Sequence, residues 1–293
     1  MPYAGAMVHR FAPVLALAAC TASVTTESFA YDDRFDADFL DVVRSEATPS
    51  AAAPAVFYVH GGSWRAGSRG TEAPIIERIA RVGYVGINVD YRLVPDGTFP
   101  NAVDDVFCAL AFVQLHADEL GLDPSRLAVM GYSAGGHLIG LLATAADLAE
   151  LQDDTCPSGR ATAPRAAISA AGPMDLPTLS TGSIVEDFVG APFDEDPARW
   201  ALASPMTHVD GSEPPFLFIH DEHDLIVQLE QSEQMAKALR SVEVSAELLR
   251  LEGGGHLLGD GAGLGQEQSE GPFDTSESAM AVFDFLERTV GVP

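Results

Sequence analysis

The sequence is poor in basic residues. Lys237 is its only lysine, and 16 basic residues stand against 43 acidic ones, for a net charge of -27. A surface of this charge repels phosphate backbones and anionic membranes, so we expect no nucleic-acid partner. Cysteine is also scarce, with three residues in 293, and no group of Cys and His has the spacing of a metal site. The chain contains no internal repeat that would indicate a solenoid.

The N-terminus has the layout of an export signal. Residues 9–10 (His-Arg) precede an apolar run at 11–19, which is too short to span a bilayer as a stable helix. We therefore predict an export signal over residues 1–30, followed by a single domain over residues 31–293. The protein is expected to be exported from a bacterial cell, as a periplasmic protein, an outer-surface lipoprotein or a secreted protein.

The cysteines bear on how this signal is processed. Residues 17–20 (Leu-Ala-Ala-Cys) resemble a bacterial lipoprotein box, which predicts a lipid tether at Cys20; the alternative is cleavage after Ala30, which follows a small-x-small pattern. In either case Cys108 and Cys156 remain in an oxidising compartment. The sequence leaves open whether these two form a disulfide or stay as buried thiols, and it carries no signal for oligomeric state.

Short apolar segments alternate with amphipathic ones along the rest of the chain. The predicted buried strands are 55–60, 83–90, 127–131, 166–171, 216–220 and 246–251, and the clearest predicted helices are 101–116, 134–146 and 276–290. This alternation predicts an α/β fold with a mostly parallel sheet and helices on both faces. Residues 175–215 interrupt it as a small lid-like insertion, and residues 259–273 are expected to form a surface loop.

A Gly-x-Ser-x-Gly pattern occupies residues 131–135. A predicted buried strand leads into Ser133 and a predicted helix leads out of it, which is the setting of a nucleophile elbow. Small neighbours, Gly131 and Ala134 among them, suit so tight a turn. The alternative is an ordinary glycine-rich turn with a serine at the helix N-cap. The pattern favours Ser133 as a nucleophile.

Residues 60–64 (His-Gly-Gly-Ser-Trp) follow directly on another predicted strand. Acyl transfer creates an oxyanion that preorganised backbone amides stabilise, and glycine allows the backbone to approach the substrate closely. We expect the donors to be the amides of Gly62, Ser63 and Ala134. Gly61 is a weaker candidate donor that shapes the turn. We call residues 60–64 the oxyanion turn.

A serine nucleophile needs a base and a carboxylate that orients it. Among eight histidines, His256 lies just after the last predicted strand, where the chain order Ser, acid, His places the base. Three carboxylates follow the preceding strand. Asp224 has the best register, four residues past the strand end, and Asp221 is the alternative.

Together these segments resemble the α/β-hydrolases of the feruloyl-esterase-like (BD-FAE) and carboxylesterase group, neighbours of the hormone-sensitive-lipase-like esterases. The matching segments are 60–64, 91–93 (Tyr-Arg-Leu), 121–124, 131–138, 172–176, 203–205, 214–216 and 231–232. The resemblance covers roughly residues 38–258 and implies that Ser133, Asp224 and His256 form the triad. This chain departs from the family pattern at Asp221, where Gly is common, and at Gln228, where Pro is common.

The predicted function is hydrolysis of small acyl esters, short-chain or aromatic, through an acyl-enzyme. We expect a small-molecule ester as substrate and neither a metal nor an organic cofactor. Kynurenine formamidases share the His-Gly-Gly-x-Trp turn, so an amide hydrolase is one alternative. A non-catalytic binding protein of hydrolase fold is another, although such proteins usually lose a triad residue.

Overall fold

A single twisted sheet forms the frame of the molecule. The computed structural model describes residues 22–49, 52–179, 182–257 and 275–293. In these ranges eight strands pair in the order β1-β2-β4-β3-β5-β6-β7-β8. The strands are β1 (Val24–Ala30), β2 (Phe39–Ser45), β3 (Ala53–Val59), β4 (Val85–Val89), β5 (Leu122–Tyr132), β6 (Ala166–Ala170), β7 (Phe216–Asp221) and β8 (Ala246–Leu251). β2 pairs antiparallel with β1 and β4, and every other pairing is parallel. The predicted mostly parallel sheet is confirmed.

Helices cover both faces of this sheet, as predicted. They are α1 (Ala73–Arg81), α2 (Asn101–Leu115), α3 (Ala134–Thr144), α4 (Ser183–Val189), α5 (Pro197–Leu202), α6 (Glu230–Ser241) and α7 (Ser276–Thr289). Side chains alternate across a strand, and on β3 Phe57 belongs to one hydrophobic core whereas Val56 belongs to the other. The first core contains buried residues of α2, α3 and α6, and the second those of α1 and α7. None of the helices within the described ranges combines the length and apolar character needed to cross a bilayer.

The N-terminal edge of the sheet differs from the prediction. Residues 24–30 fall inside the predicted export segment, yet they form β1 and pair with β2 along its whole length. The first strand of the sheet therefore begins at Val24, ahead of residue 55, where the first predicted strand begins. Neither strand is among the predicted ones. For β1, residues 25–28 give the reason, because their exposed polar side chains leave no buried pattern to detect. Residues 1–21, including most of the predicted signal, lie outside the described residues.

The predicted insertion at 175–215 is built from short helical pieces. It contains α4, α5 and two 3-10 turns, at Leu176–Thr178 and Pro205–His208. Its buried side chains join the core that contains α3, so the insertion packs on the helix that follows the elbow. Residues 180–181 and the predicted loop at 259–273 lie outside the described residues.

Cys108 and Cys156 are joined by a disulfide bond. Cys108 lies on α2, Cys156 in the loop after α3, and 48 residues of sequence separate them. The bond decides between the two alternatives that the sequence left open. It also ties a long connection to the helical layer that covers the sheet.

Candidate functional site

Ser133 lies in a strained turn between β5 and α3. Its backbone has φ 52° and ψ −119°, a conformation that non-glycine residues adopt at a cost and that concentrates at functional sites. The turn admits only small neighbours: a Cβ on Gly135 would lie 2.0 Å from the Val59 carbonyl oxygen. One on Gly131 would lie 2.4 Å from the Gly135 carbonyl oxygen. Because the turn is fixed by backbone contacts, the position of the serine hydroxyl is fixed as well.

His256 is within hydrogen-bond distance of that hydroxyl. Its Nε2 lies 2.9 Å from Ser133 Oγ. The histidine belongs to a 3-10 turn, Gly255–Leu257, shortly after β8. The Tyr132 hydroxyl donates a hydrogen bond to the His256 carbonyl oxygen, so the residue before the nucleophile also holds the backbone of the base. The sequence analysis did not identify Tyr132, because the x position of Gly-x-Ser-x-Gly carries no side-chain signal.

Asp224 completes the chain of hydrogen bonds. His256 Nδ1 lies 2.7 Å from Asp224 Oδ2, while the amides of Ile226 and Val227 donate to Oδ1 at 2.9 Å. Burial tends to raise the pKa of the Asp224 carboxyl, but hydrogen bonds from His220 and His256 together with the nearby His256 charge hold that pKa well below its usual range. The carboxylate is therefore ionised at neutral pH and can orient the imidazole.

Asp221, the alternative acid, is engaged elsewhere. Its Oδ1 accepts the amide of His223 and its Oδ2 accepts the amide of Gly254, both at 2.8 Å. Gly254 precedes the 3-10 turn that carries His256, so Asp221 links the loop after β7 to the loop after β8. The His223 side chain is 72% exposed and lies on the surface of the loop.

The oxyanion turn lies against the elbow. A Cβ on Gly61 would lie 3.4 Å from Ser133 Cβ. Gly62 and Ser63 both have positive φ, 113° and 56°. Neither of their amides, nor that of Ala134, donates a hydrogen bond to another described residue. These three amides are thus available to a bound oxygen.

The expected role of the Gly61 amide differs from what the structure shows. We expected its amide to be a weaker oxyanion donor, but it is directed at Glu72 Oε1, 3.4 Å away. The same Glu72 carboxylate accepts a hydrogen bond from the Tyr58 hydroxyl. An amide that points toward a carboxylate is not free to bind an oxyanion, so the donor set reduces to Gly62, Ser63 and Ala134. No sequence motif marks Glu72, which lies eleven residues downstream at the start of α1.

Aromatic side chains support the oxyanion turn from below. Trp64 is buried and stacks on Phe188 of α4 with the ring centroids 4.3 Å apart. His137 meets the indole edge-on at 5.2 Å. On the other side His60 stacks on Tyr91, and burial lowers the pKa of His60 so that its ring is neutral. The insertion therefore contacts the oxyanion turn through Phe188.

The arrangement contains the parts of a nucleophilic acyl transfer. A strained serine, a base at 2.9 Å and an ionised carboxylate at 2.7 Å from that base lie beside three available amides. Among the described residues, no group of three His, Cys, Asp or Glu side chains is arranged to hold a metal ion.

Comparisons with known proteins agree with the fold and the sequence motifs. The BD-FAE family model matches residues 40–239. Two relatives from Mycobacterium tuberculosis each match 78% of this chain: Esterase LipC with 35% identity and the probable carboxylic ester hydrolase LipM with 31%. The chain spans 59% of the length of LipC and 56% of that of LipM.

Solved structures show the same architecture. A thermophilic esterase from Thermogutta terrifontis superposes with a TM-score of 0.72 at 24% identity, over 91% of this chain and 93% of its own. A truncated carbohydrate esterase from gut microbiota superposes with a TM-score of 0.76 at 23% identity, over 92% of this chain and 97% of its own. At this level of identity the similarity establishes the α/β-hydrolase fold.

Proposed function

Because the chain belongs to the BD-FAE family of α/β-hydrolases, we propose that it is a serine carboxylesterase with Ser133, His256 and Asp224 as its triad. The observation that carries the proposal is the continuous chain of hydrogen bonds from Ser133 Oγ to Asp224 Oδ2, with links of 2.9 Å and 2.7 Å. The names of the LipC and LipM relatives support ester hydrolysis as the reaction class.

The first half of the proposed reaction forms an acyl-enzyme. Ser133 Oγ attacks the acyl carbon while its proton passes to His256 Nε2, and the carbonyl electron pair moves onto the oxygen. The amides of Gly62, Ser63 and Ala134 stabilise that oxyanion, and Asp224 stabilises the imidazolium. When the intermediate collapses, the bond from the acyl carbon to the alcohol oxygen breaks, and His256 protonates the leaving alcohol.

The second half releases the acid. Water attacks the acyl carbon and gives a proton to His256, a second oxyanion forms in the same place, and Ser133 leaves with that proton restored. We propose small acyl esters, short-chain or aromatic, as substrates. This range is supported by the short insertion, whose two helices are seven and six residues long.

The test pairs a substrate panel with a covalent probe. Wild-type protein is expected to hydrolyse p-nitrophenyl acetate and to be labelled by a fluorophosphonate, whereas Ser133→Ala loses both. Ser241→Ala, a serine at the exposed end of α6, is the matched control and keeps both. Unlabelled wild-type protein, with Ser133→Ala indistinguishable from it, would favour the non-catalytic binding protein. Strong preference for N-formylkynurenine over the ester would favour the amide hydrolase.

Export and a lipid tether at Cys20 complete the proposal. The disulfide between Cys108 and Cys156 supports an oxidising compartment. Cleavage after Ala30 would remove all of β1, which favours processing at Cys20 instead. Detergent phase partitioning of the protein expressed in a bacterial host tests this step. Wild type is expected in the detergent phase and Cys20→Ser in the aqueous phase, and an aqueous wild type would contradict the tether.

A further inference from the structure

A second histidine, His220, lies directly behind the acid loop, which we define as residues 222–229. It is the penultimate residue of β7, and its side chain is fully buried. Its Nε2 lies 2.8 Å from the Val227 carbonyl oxygen and 3.4 Å from Asp224 Oδ2. The proposed mechanism gives this ring no role. A buried imidazole so close to a functional carboxylate calls for an explanation.

The hydrogen bonds of His220 define its tautomer. A carbonyl oxygen can only accept, so the proton is on Nε2, where it faces both Val227 and Asp224. Nδ1 lies 2.7 Å from the hydroxyl of Ser232 on α6, which donates to it. Ser232 is itself fully buried. The ring is thus held at both nitrogens, with its single N–H directed into the acid loop.

The acid loop has little else to hold it in place. Leu225 is 87% exposed and Ile226 is 50% exposed, so the residues right after Asp224 contribute little packing. Val227 is buried, and its carbonyl is bound by His220 while its amide is bound by Asp224. Since apolar contacts are few, hydrogen bonds must fix the direction of the Asp224 carboxylate.

We propose that His220, held by Ser232, is a positioning residue that orients Asp224 toward His256. The inference rests on the proposed function, because it assigns a role within that same triad. His220 acts through Asp224 and does not touch the substrate. Its N–H holds the loop backbone at Val227 and lies beside the oxygen that binds His256, so losing it lets the carboxylate turn away from the imidazole.

The test compares two substitutions of one ring. His220→Leu removes the N–H, while His220→Gln places an amide N–H near the position of Nε2. We expect His220→Leu to lower kcat for p-nitrophenyl acetate roughly 10- to 100-fold, with KM changed less than about threefold, because misplacement of a catalytic group affects the chemical step more than binding. His220→Gln is expected to recover kcat to within about threefold of wild type, and Ser232→Ala to lower it about fivefold.

A spectroscopic measurement separates positioning from loss of stability. The proton between His256 Nδ1 and Asp224 should give a downfield NMR resonance that is lost or shifted in His220→Leu and present in His220→Gln. Gln152→Met is the matched control: Gln152 is buried and hydrogen-bonded to the backbone of Ala161, with no contact to the acid loop. It should lower the Tm while kcat and the resonance stay as in wild type.

Two results would overturn the proposal. One is a folded His220→Leu whose kcat and downfield resonance match those of wild type. The other is a folded His220→Gln that is as impaired as His220→Leu. Failure of the proposed function has a different signature, since Ser133→Ala would then keep full activity, and the NMR comparison would still report on His220.

Discussion

The nucleophile elbow and the acid loop meet at His256, yet different forces hold them. At the elbow, backbone atoms approach so closely that a Cβ on Gly135 would lie 2.0 Å from a carbonyl oxygen. In the acid loop, Asp224 accepts the amides of Ile226 and Val227 and lies 2.7 Å from His256 and 3.4 Å from His220, which also holds the backbone behind it. Steric exclusion between backbone atoms thus fixes the elbow, whereas hydrogen bonds to a carboxylate and a carbonyl fix the acid loop. We therefore expect added side-chain volume to disrupt the elbow and the loss of polar groups to disrupt the acid loop.

The largest expected effect is the loss of kcat when the acid loop loses the charge of Asp224. Asp224→Asn keeps the volume of the side chain but removes the charge that stabilises the imidazolium and favours the wrong tautomer of His256. We expect kcat to fall about 10³- to 10⁴-fold, measured with p-nitrophenyl acetate. Asp221→Asn is the matched control, because Asp221 binds the amides of His223 and Gly254 instead of the base. Its kcat should fall less than about tenfold. Equal losses in the two variants would mean that the acid has been misassigned.

The next largest effect is expected when side-chain volume is added at the nucleophile elbow. Gly135→Ala adds one methyl group where the Val59 and His60 carbonyl oxygens lie 2.0 and 2.6 Å away, so the elbow must shift. We expect unfolding in urea to show a loss of about 3 kcal/mol or more, together with loss of fluorophosphonate labelling. Gly70→Ala is the control, since a Cβ there would lie an ordinary 3.6 Å from Ser68 Oγ. A Gly135→Ala protein with wild-type stability and labelling would show that the elbow tolerates volume.

Sequence patterns predict the parts of the candidate site that a short motif or the chain order marks. They predict Ser133 as the nucleophile because small residues flank it within five positions, and His256 as the base because chain order restricts the base to one loop. The roles of Tyr132, Glu72 and His220 were not predicted. Each depends on a partner that only the fold brings close, and none leaves a trace in its neighbouring sequence.

The same reasoning explains the remaining differences. The sequence pattern does not reveal β1 because an exposed edge strand lacks the buried pattern that marks the central strands. The pairing of Cys108 with Cys156 was left open because it depends on a spatial approach across 48 residues of sequence. Gly61 was assigned as a donor from its place in a motif, and only the position of Glu72 shows where its amide points.

A third prediction concerns the buried histidine behind the elbow. Burial lowers the pKa of His137 to about 4, even though its Nε2 donates to the Ala203 carbonyl oxygen at 2.7 Å. The unfolded chain, with a pKa of about 6.5, takes up a proton first as the pH falls. Stability should therefore decline between pH 6.5 and pH 4, and His137 should account for about 3 kcal/mol of that decline at the lower end.

His137→Gln makes this contribution measurable. The difference between the urea-unfolding free energies of wild type and His137→Gln, followed from pH 7 to pH 4, isolates His137 from the carboxyl groups that titrate in the same window. The variant should have the shallower acid decline, whatever its stability at pH 7. Parallel curves would show that His137 takes up its proton equally well in the folded state.

The smallest effect is expected at Trp64, where packing and hydrogen bonding can be separated within one side chain. The indole stacks on Phe188 with the centroids 4.3 Å apart, but its buried N–H has no hydrogen-bond partner in the part of the chain that the structure describes. Trp64→Phe keeps an aromatic ring for the stack and removes the unpartnered donor, so the lost packing is partly offset. We expect stability to change by less than about 1.5 kcal/mol and kcat by less than about threefold. Trp64→Ala, which removes the stack itself, should cost about 3 kcal/mol or more. If Trp64→Phe proved as damaging as Trp64→Ala, the oxyanion turn would depend on the polarity of the indole. The turn would then be held by polar groups, as the acid loop is, and not by packing, as the elbow is.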